Sequence, residues 1–138
     1  MIPETISDAK QLEEFLGKLN DSITNQDYNL ALTYAYSCLE GVYKAYFKVK
    51  LPQVTIPPEL QKQAVMVRDD IKTRLDAINV KYPEQILTLT ATITNAVGNA
   101  RNGYSVSHFD GKAEKWLAEF ARDCANSVAR MILPFITE

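Results

Sequence analysis

Between Tyr28 and Tyr46, the residues Tyr28, Leu32, Ala35, Leu39, Val42 and Tyr46 return every three or four positions. That is the period of one face of an α-helix. Ala31, Cys38 and Ala45 widen the stripe on both sides. A helix with so broad an apolar face is stable only when neighbours cover it from several directions. The chain must therefore wrap other elements around this one, and the sequence predicts that it sits centrally.

The remaining pattern supplies those neighbours. Leu12, Leu16, Leu19 and Ile23, with Phe15 beside them, predict a first helix over about Ser7–Ile23. Asn25-Gln26-Asp27 interrupts the pattern, and Asp27 is placed to cap the central helix. Leu51-Pro52 to Pro57-Pro58 reads as a loop, because proline lacks the donor a helix interior requires. Pro58 is then expected as the first residue of a third helix, whose face is Leu60, Ala64, Val67, Ile71, Leu75 and Ile78. Lys62, Arg68, Asp69, Asp70, Lys72 and Asp76 read as its solvated side.

After Tyr82-Pro83 the pattern is ambiguous. Residues 87–94 alternate apolar and polar, and threonine favours strands. A helical face of Ile86, Leu89, Ile93, Val97 and Ala100 is also present. Helix is the expectation, because a lone strand would leave its backbone groups unpaired. A loop over Asn102–Phe109 precedes a last helix capped by Asp110. Its stripe is Ala113, Leu117, Phe120, Cys124, Val128 and Met131, with Trp116, Ala121, Ile132 and Phe135 alongside, and Pro134 should end or bend it. The expected fold is all-α, a five-helix up-and-down bundle forming one domain over residues 1–138.

Composition narrows the function classes. The 138 residues carry 15 basic and 17 acidic side chains, a formal charge of −2 with both signs in each half. That balance argues against general electrostatic binding to duplex DNA. No run approaches the roughly 18 apolar residues of a membrane span. The N-terminus has no basic segment before an apolar run, so no signal peptide is expected. Cys38 and Cys124 cannot build a disulfide framework, and both lie on apolar faces where packing is the simpler role. The expectation is a cytoplasmic protein that contacts neither membrane nor duplex DNA.

No Cys/His cluster has zinc spacing, no Glu-x-x-His pair occurs, and no glycine-rich phosphate loop is present, so neither metal nor cofactor is expected. His108 is the only histidine. It follows Arg101-Asn102-Gly103-Tyr104-Ser105-Val106-Ser107, between the last two helices. On spacing alone, a solvated or helix-capping role is the favoured reading of a lone loop histidine. The chemistry around it is more specific. Arg101 stays charged and can hold a phosphate through two donors. His108 can move a proton near neutrality. Asn102 adds a neutral donor and acceptor. These are the parts needed to cleave RNA without metal: a base for the 2′-OH, a cation for the crowded phosphorane and an acid for the leaving 5′ oxygen. One histidine cannot readily fill both proton-transfer roles, but two copies across a dimer axis could.

At these residues the sequence resembles the HEPN superfamily, and within it the abortive-infection C-terminal domain. The pattern is the arginine, a polar residue, a spacer and the histidine ahead of an alanine-rich last helix, sharpest over about Val97–Ile132. The resemblance implies a metal-independent endoribonuclease of a toxin–antitoxin or phage-defence system, acting on RNA from a site where two motifs meet in a two-fold homodimer. It implies catalytic roles for Arg101, Asn102 and His108, and it allows a cognate antitoxin as partner. Tyr104, Ser107 and Lys112 are further candidate substrate contacts. Glu40 and Lys44 match an acidic–basic pair seen in some branches; four apart, they share a helix face, and an ordinary surface ion pair accounts for them equally well. Six residues separate Arg101 from His108, and Phe109-Asp110 follows the histidine instead of a glycine. Two other readings remain: a non-catalytic module that binds RNA or a nucleotide, and a plain helical interaction domain.

Overall fold

The computed structural model describes residues 5–104 and 112–137, with Tyr104 described as backbone only. The described residues form α1 (Ala9–Thr24), α2 (Tyr28–Lys50), α3 (Leu60–Ala77), α4 (Glu84–Tyr104) and α5 (Lys115–Thr137), with no strand among them. Asp8 caps α1 by accepting from the Gln11 N–H at 2.8 Å. Asp27 caps α2 through the Leu30 N–H at 3.2 Å, as its position predicted. Such caps satisfy donors that the first helical turn cannot pair internally.

Helix α2 lies at the centre and touches each of the other four. Its predicted stripe is buried from Ala31 to Tyr46, with Tyr28 half-buried, and Tyr43 and Phe47 are buried beyond it. The segment ahead of α1 joins the same core, where Ile6 is buried and its N–H donates to the Gly41 carbonyl at 3.1 Å.

Side-chain contacts give the helix directions. Arg130 pairs with Glu13, and Arg122 Nη1 donates to Asn20 Oδ1 at 3.3 Å, so α1 and α5 run oppositely. Tyr43 meets Thr94 while Tyr36 meets Arg101, so α2 and α4 also run oppositely. By contrast, Tyr46 Oη donates to Asp70 Oδ2 at 2.6 Å and Arg74 Nη2 donates to the Lys50 carbonyl at 2.9 Å. Helices α2 and α3 therefore run the same way, and the bundle is not strictly up-and-down. The physical reason is the proline-rich segment 51–59. It is too long and too poor in donors to form a tight helical turn, and it is long enough to double back along α2. Val54 and Ile56 border one groove with Lys44 and Phe47 of α2.

Other expectations also move. Helix α3 begins at Leu60 after Glu59, not at Pro58, and Ile78 lies past its end and is exposed. Asp70 is not simply solvated, because it accepts from both Tyr46 and Arg74. Residues 87–94 are helical, but α4 is turned from its expected face. Ile86 and Leu89 are exposed, whereas Leu87, Thr90, Ala91, Thr94 and Val97 are buried. Threonine can face a core when its hydroxyl finds a partner. Thr90 Oγ1 donates to the Ile86 carbonyl at 3.1 Å and Thr94 Oγ1 to the Thr90 carbonyl at 2.8 Å. Helix α5 is turned as well. Trp116 and Phe120 are exposed, and the buried line is Ala118, Ala121, Ala125, Val128, Ala129, Ile132 and Ile136. Pro134 does not end α5, which continues to Thr137. The expected cap at Asp110 lies outside the described residues, but α5 begins only at Lys115 after the non-helical residues 112–114, and α4 runs on through Asn102 to Tyr104 where a loop was expected.

The Thr94 hydroxyl has one hydrogen, which it gives to the Thr90 carbonyl. Tyr43 must therefore donate to Thr94 Oγ1 across their 2.6 Å contact. Thr94→Val leaves that buried phenol without an acceptor and is expected to cost about 1–3 kcal/mol. Adding Tyr43→Phe should recover part of the loss, because removing both partners leaves no orphan. Urea unfolding of the two single variants and the double variant checks this, with a double variant no better than Thr94→Val as the contrary outcome.

Candidate functional site

The turn of α4 that buries Thr90 and Thr94 also decides where Arg101 points. Arg101 lies seven residues beyond Thr94, two helical turns along the same face. Its side chain is thereby aimed at α2 instead of solvent. There the guanidinium carbon lies 4.6 Å from the centre of the Tyr36 ring, a stacking distance at which the ring quadrupole attracts the cation. Gly98 sits one turn before Arg101, and a Cβ there would lie 3.7 Å from the Tyr36 ring. The ring therefore packs close against α4 at this point.

Arg101 Nε is buried and has no hydrogen-bond partner among the described residues. Nη1 donates to Asn102 Oδ1 at 3.3 Å, a long contact between neighbours. Among the described residues, the cation is thus held by stacking more than by pairing. Glu40 stands near it one turn along α2 from Tyr36, with Lys44 one turn further. Burial raises the Glu40 carboxyl above the ordinary carboxylate range, while the charges of Arg101 and Lys44 pull it back. Burial also raises the Tyr36 phenol, helped by the Glu40 charge and opposed by Arg101. Those mutual effects place Tyr36, Glu40, Lys44 and Arg101 within one electrostatic neighbourhood.

Of the expected site residues, the structure brings together Arg101, Asn102, Glu40 and Lys44. Lys112 lies apart, exposed and lining a concavity with residues 26–30 at the start of α2. That concavity is tied to the lead-in of α5, where Ala113 N donates to Asn29 Oδ1 at 2.7 Å. His108 and Ser107 lie outside the described residues, as does the Tyr104 side chain. Tyr36 escaped the sequence reading. Its signal was present in the spacing: Tyr36, Glu40 and Lys44 follow one another at four-residue steps on one face of α2.

The arrangement is suited to gripping an anion or a planar group, through a fixed cation beside an aromatic face. Among the described residues, no three of His, Cys, Asp and Glu gather as metal ligands would. The thiols are poor nucleophiles: burial pushes Cys38 up to about 12, and burial with the Asp123 charge raises Cys124. No helix among the described residues is long and apolar enough to cross a membrane. No family model, curated protein or solved structure matches the chain.

The coupling between Glu40 and Arg101 gives a signed pH prediction. A carboxyl raised by folding binds its proton more tightly in the native state. The stability this lends is fully present below the unfolded pKa and is lost as pH rises through the folded value. Arg101→Gln removes a charge that holds the Glu40 value down, so the residue should titrate at higher pH still. Carbon-detected NMR titration of the Glu40 carboxyl in both proteins checks this. An unchanged midpoint means that the two groups do not sense each other.

Proposed function

We propose that this chain is a metal-independent endoribonuclease of HEPN type, serving as a toxin or phage-defence effector. In this reading Arg101 grips the scissile phosphate, Asn102 orients it, and His108 moves the proton. The observation that carries the reading is the held guanidinium: Arg101 is stacked on Tyr36, with its buried Nε unpartnered among the described residues. Such a cation is already positioned before substrate arrives, so little reorganisation is needed when charge builds on the phosphorane.

The chemistry is transesterification within the RNA. A base removes the 2′-OH proton, the 2′ oxygen attacks the adjacent phosphorus, and the bond to the 5′ oxygen breaks as that oxygen gains a proton. The products are a 2′,3′-cyclic phosphate and a 5′-hydroxyl end. One chain brings one histidine, so a two-fold pair of chains supplies the base and the acid together. A cognate antitoxin would act by blocking the pairing or the site.

A non-catalytic module that holds RNA or a nucleotide is the second reading. It is favoured by the groups described around Arg101, a cation, a phenol ring and a carboxamide, which are binding groups before they are proton carriers.

Two experiments separate these readings. With RNA as substrate, cleavage should persist in excess EDTA and leave cyclic phosphate ends. Activity that disappears on chelation and returns with magnesium would contradict the reading. His108→Ala should leave thermal stability within about 1 kcal/mol, because the residue lies outside every apolar stripe. The same change should lower cleavage roughly 100-fold or more. Arg101→Ala should reduce both cleavage and RNA affinity, since it removes a charge that meets the phosphate in the ground state. A folded His108→Ala protein that cuts at the wild-type rate leaves only the binding module.

A further inference from the structure

We infer that Glu40 selects guanine, in unpaired RNA, beside the phosphate that Arg101 grips. The inference rests on that role for Arg101, which the ribonuclease and binding-module readings share. Tyr36, Glu40 and Lys44 stand at successive four-residue steps on α2, about 6 Å apart along the helix axis. All three are half-buried, as is Arg101, so they form one partly sheltered face.

Glu40 lies within reach of the charges of Arg101 and Lys44. Among the described residues it nevertheless takes neither a hydrogen bond nor an ion pair. Arg101 does not turn to it, because the guanidinium is held 4.6 Å from the centre of the Tyr36 ring. A half-buried carboxylate beside a cation it does not pair with is an unusual use of charge, and a ligand that supplies donors accounts for it.

The class of ligand follows from what a carboxylate accepts. It has two acceptor oxygens and no proton to give. It repels phosphate, so the backbone of an RNA strand meets Arg101 and a base meets Glu40. Guanine carries two adjacent donors on its Watson–Crick edge, the N1 imino and the N2 amino groups. A carboxylate takes both at once, in the parallel geometry it also adopts with arginine. Cytosine and adenine each set an amino group beside a bare acceptor nitrogen, and uracil sets an imino group between two carbonyl oxygens. Each of these turns a lone pair toward the carboxylate. In a duplex the Watson–Crick edge is occupied by the opposite base, so the guanine must be unpaired. Burial already works against the bare charge of Glu40, so donors that reach it act in surroundings where each bond is felt more strongly.

Isothermal titration with the nucleoside 3′-monophosphates tests this without any cleavage step. Guanosine 3′-monophosphate should bind roughly tenfold or more tightly than the adenosine, cytidine and uridine compounds, as a bidentate base contact provides. Inosine 3′-monophosphate lacks the 2-amino group and should bind about fivefold or more weakly than the guanosine compound. Glu40→Gln keeps the side-chain shape but replaces one acceptor with a donor, and should lower the guanosine-to-adenosine affinity ratio about fivefold or more. Circular dichroism checks that this variant folds; the inosine comparison on the wild-type protein needs no variant. The inference is overturned by equal affinities for all the nucleotides, by no binding of any, by inosine binding as tightly as guanosine, or by a folded Glu40→Gln protein that keeps the full ratio. A guanosine preference in a protein that cuts no RNA supports the inference while removing the ribonuclease reading. Cleavage of RNA with equal nucleotide affinities does the reverse.

Discussion

Helix α2 can be surrounded because small residues let its neighbours approach closely. Ala31, Ala35, Cys38, Gly41 and Ala45 are buried along its length, and Ala118, Ala121, Ala125 and Ala129 answer them from α5. Close approach between backbones multiplies weak dispersion contacts and excludes water from the larger side chains between them. Leu32, Leu39, Val42, Tyr43, Tyr46 and Phe47 fill the remaining space. Every other element takes its position from this helix. Replacing one of its alanines with a larger residue would push a neighbour outward, a core change of the kind that costs about 1–3 kcal/mol.

The two buried phenols decide how the second layer sits. Tyr46 needs an acceptor and finds Asp70 on α3, which is also held by Arg74. Tyr43 needs one and finds Thr94 on α4. Burying either hydroxyl unpaired would be costly, so each fixes the rotation of the helix opposite it. For α4 this rotation has two consequences at once. It carries Arg101 inward onto Tyr36, and it leaves Ile86 and Leu89 facing outward. The position of Arg101 and the exposure of Ile86 and Leu89 are therefore two results of one packing choice.

The electrostatics of the site follow from the same geometry. Arg101 would be an ordinary solvated cation if α4 were turned the other way. Against Tyr36 it is partly desolvated, and in such surroundings each charge is felt more strongly by its neighbours. Glu40 registers this, because burial and the nearby cations act on its carboxyl in opposite senses.

The sequence by itself determined the order of the helical segments, the central place of α2 and the cap that begins α2. These depend on local periodicity and on side chains that reach their own backbone. It also marked Arg101, Asn102, Glu40 and Lys44, whose chemistry is visible wherever they stand. Only the tertiary structure decided which faces of α4 and α5 are buried. Hydropathy sends Thr90 and Thr94 to solvent and Trp116 and Phe120 to the core, and the opposite occurs. A threonine hydroxyl can be satisfied inside by a helix carbonyl and a tyrosine from another helix, and no local pattern contains that second partner. The parallel course of α2 and α3 was hidden for a related reason. A loop rich in proline declares that the helix stops, but its direction of return is set by the distant contacts of Tyr46 and Arg74. The pairing of Arg101 with Tyr36 joins residues 65 positions apart in the chain, and only packing brings them within reach.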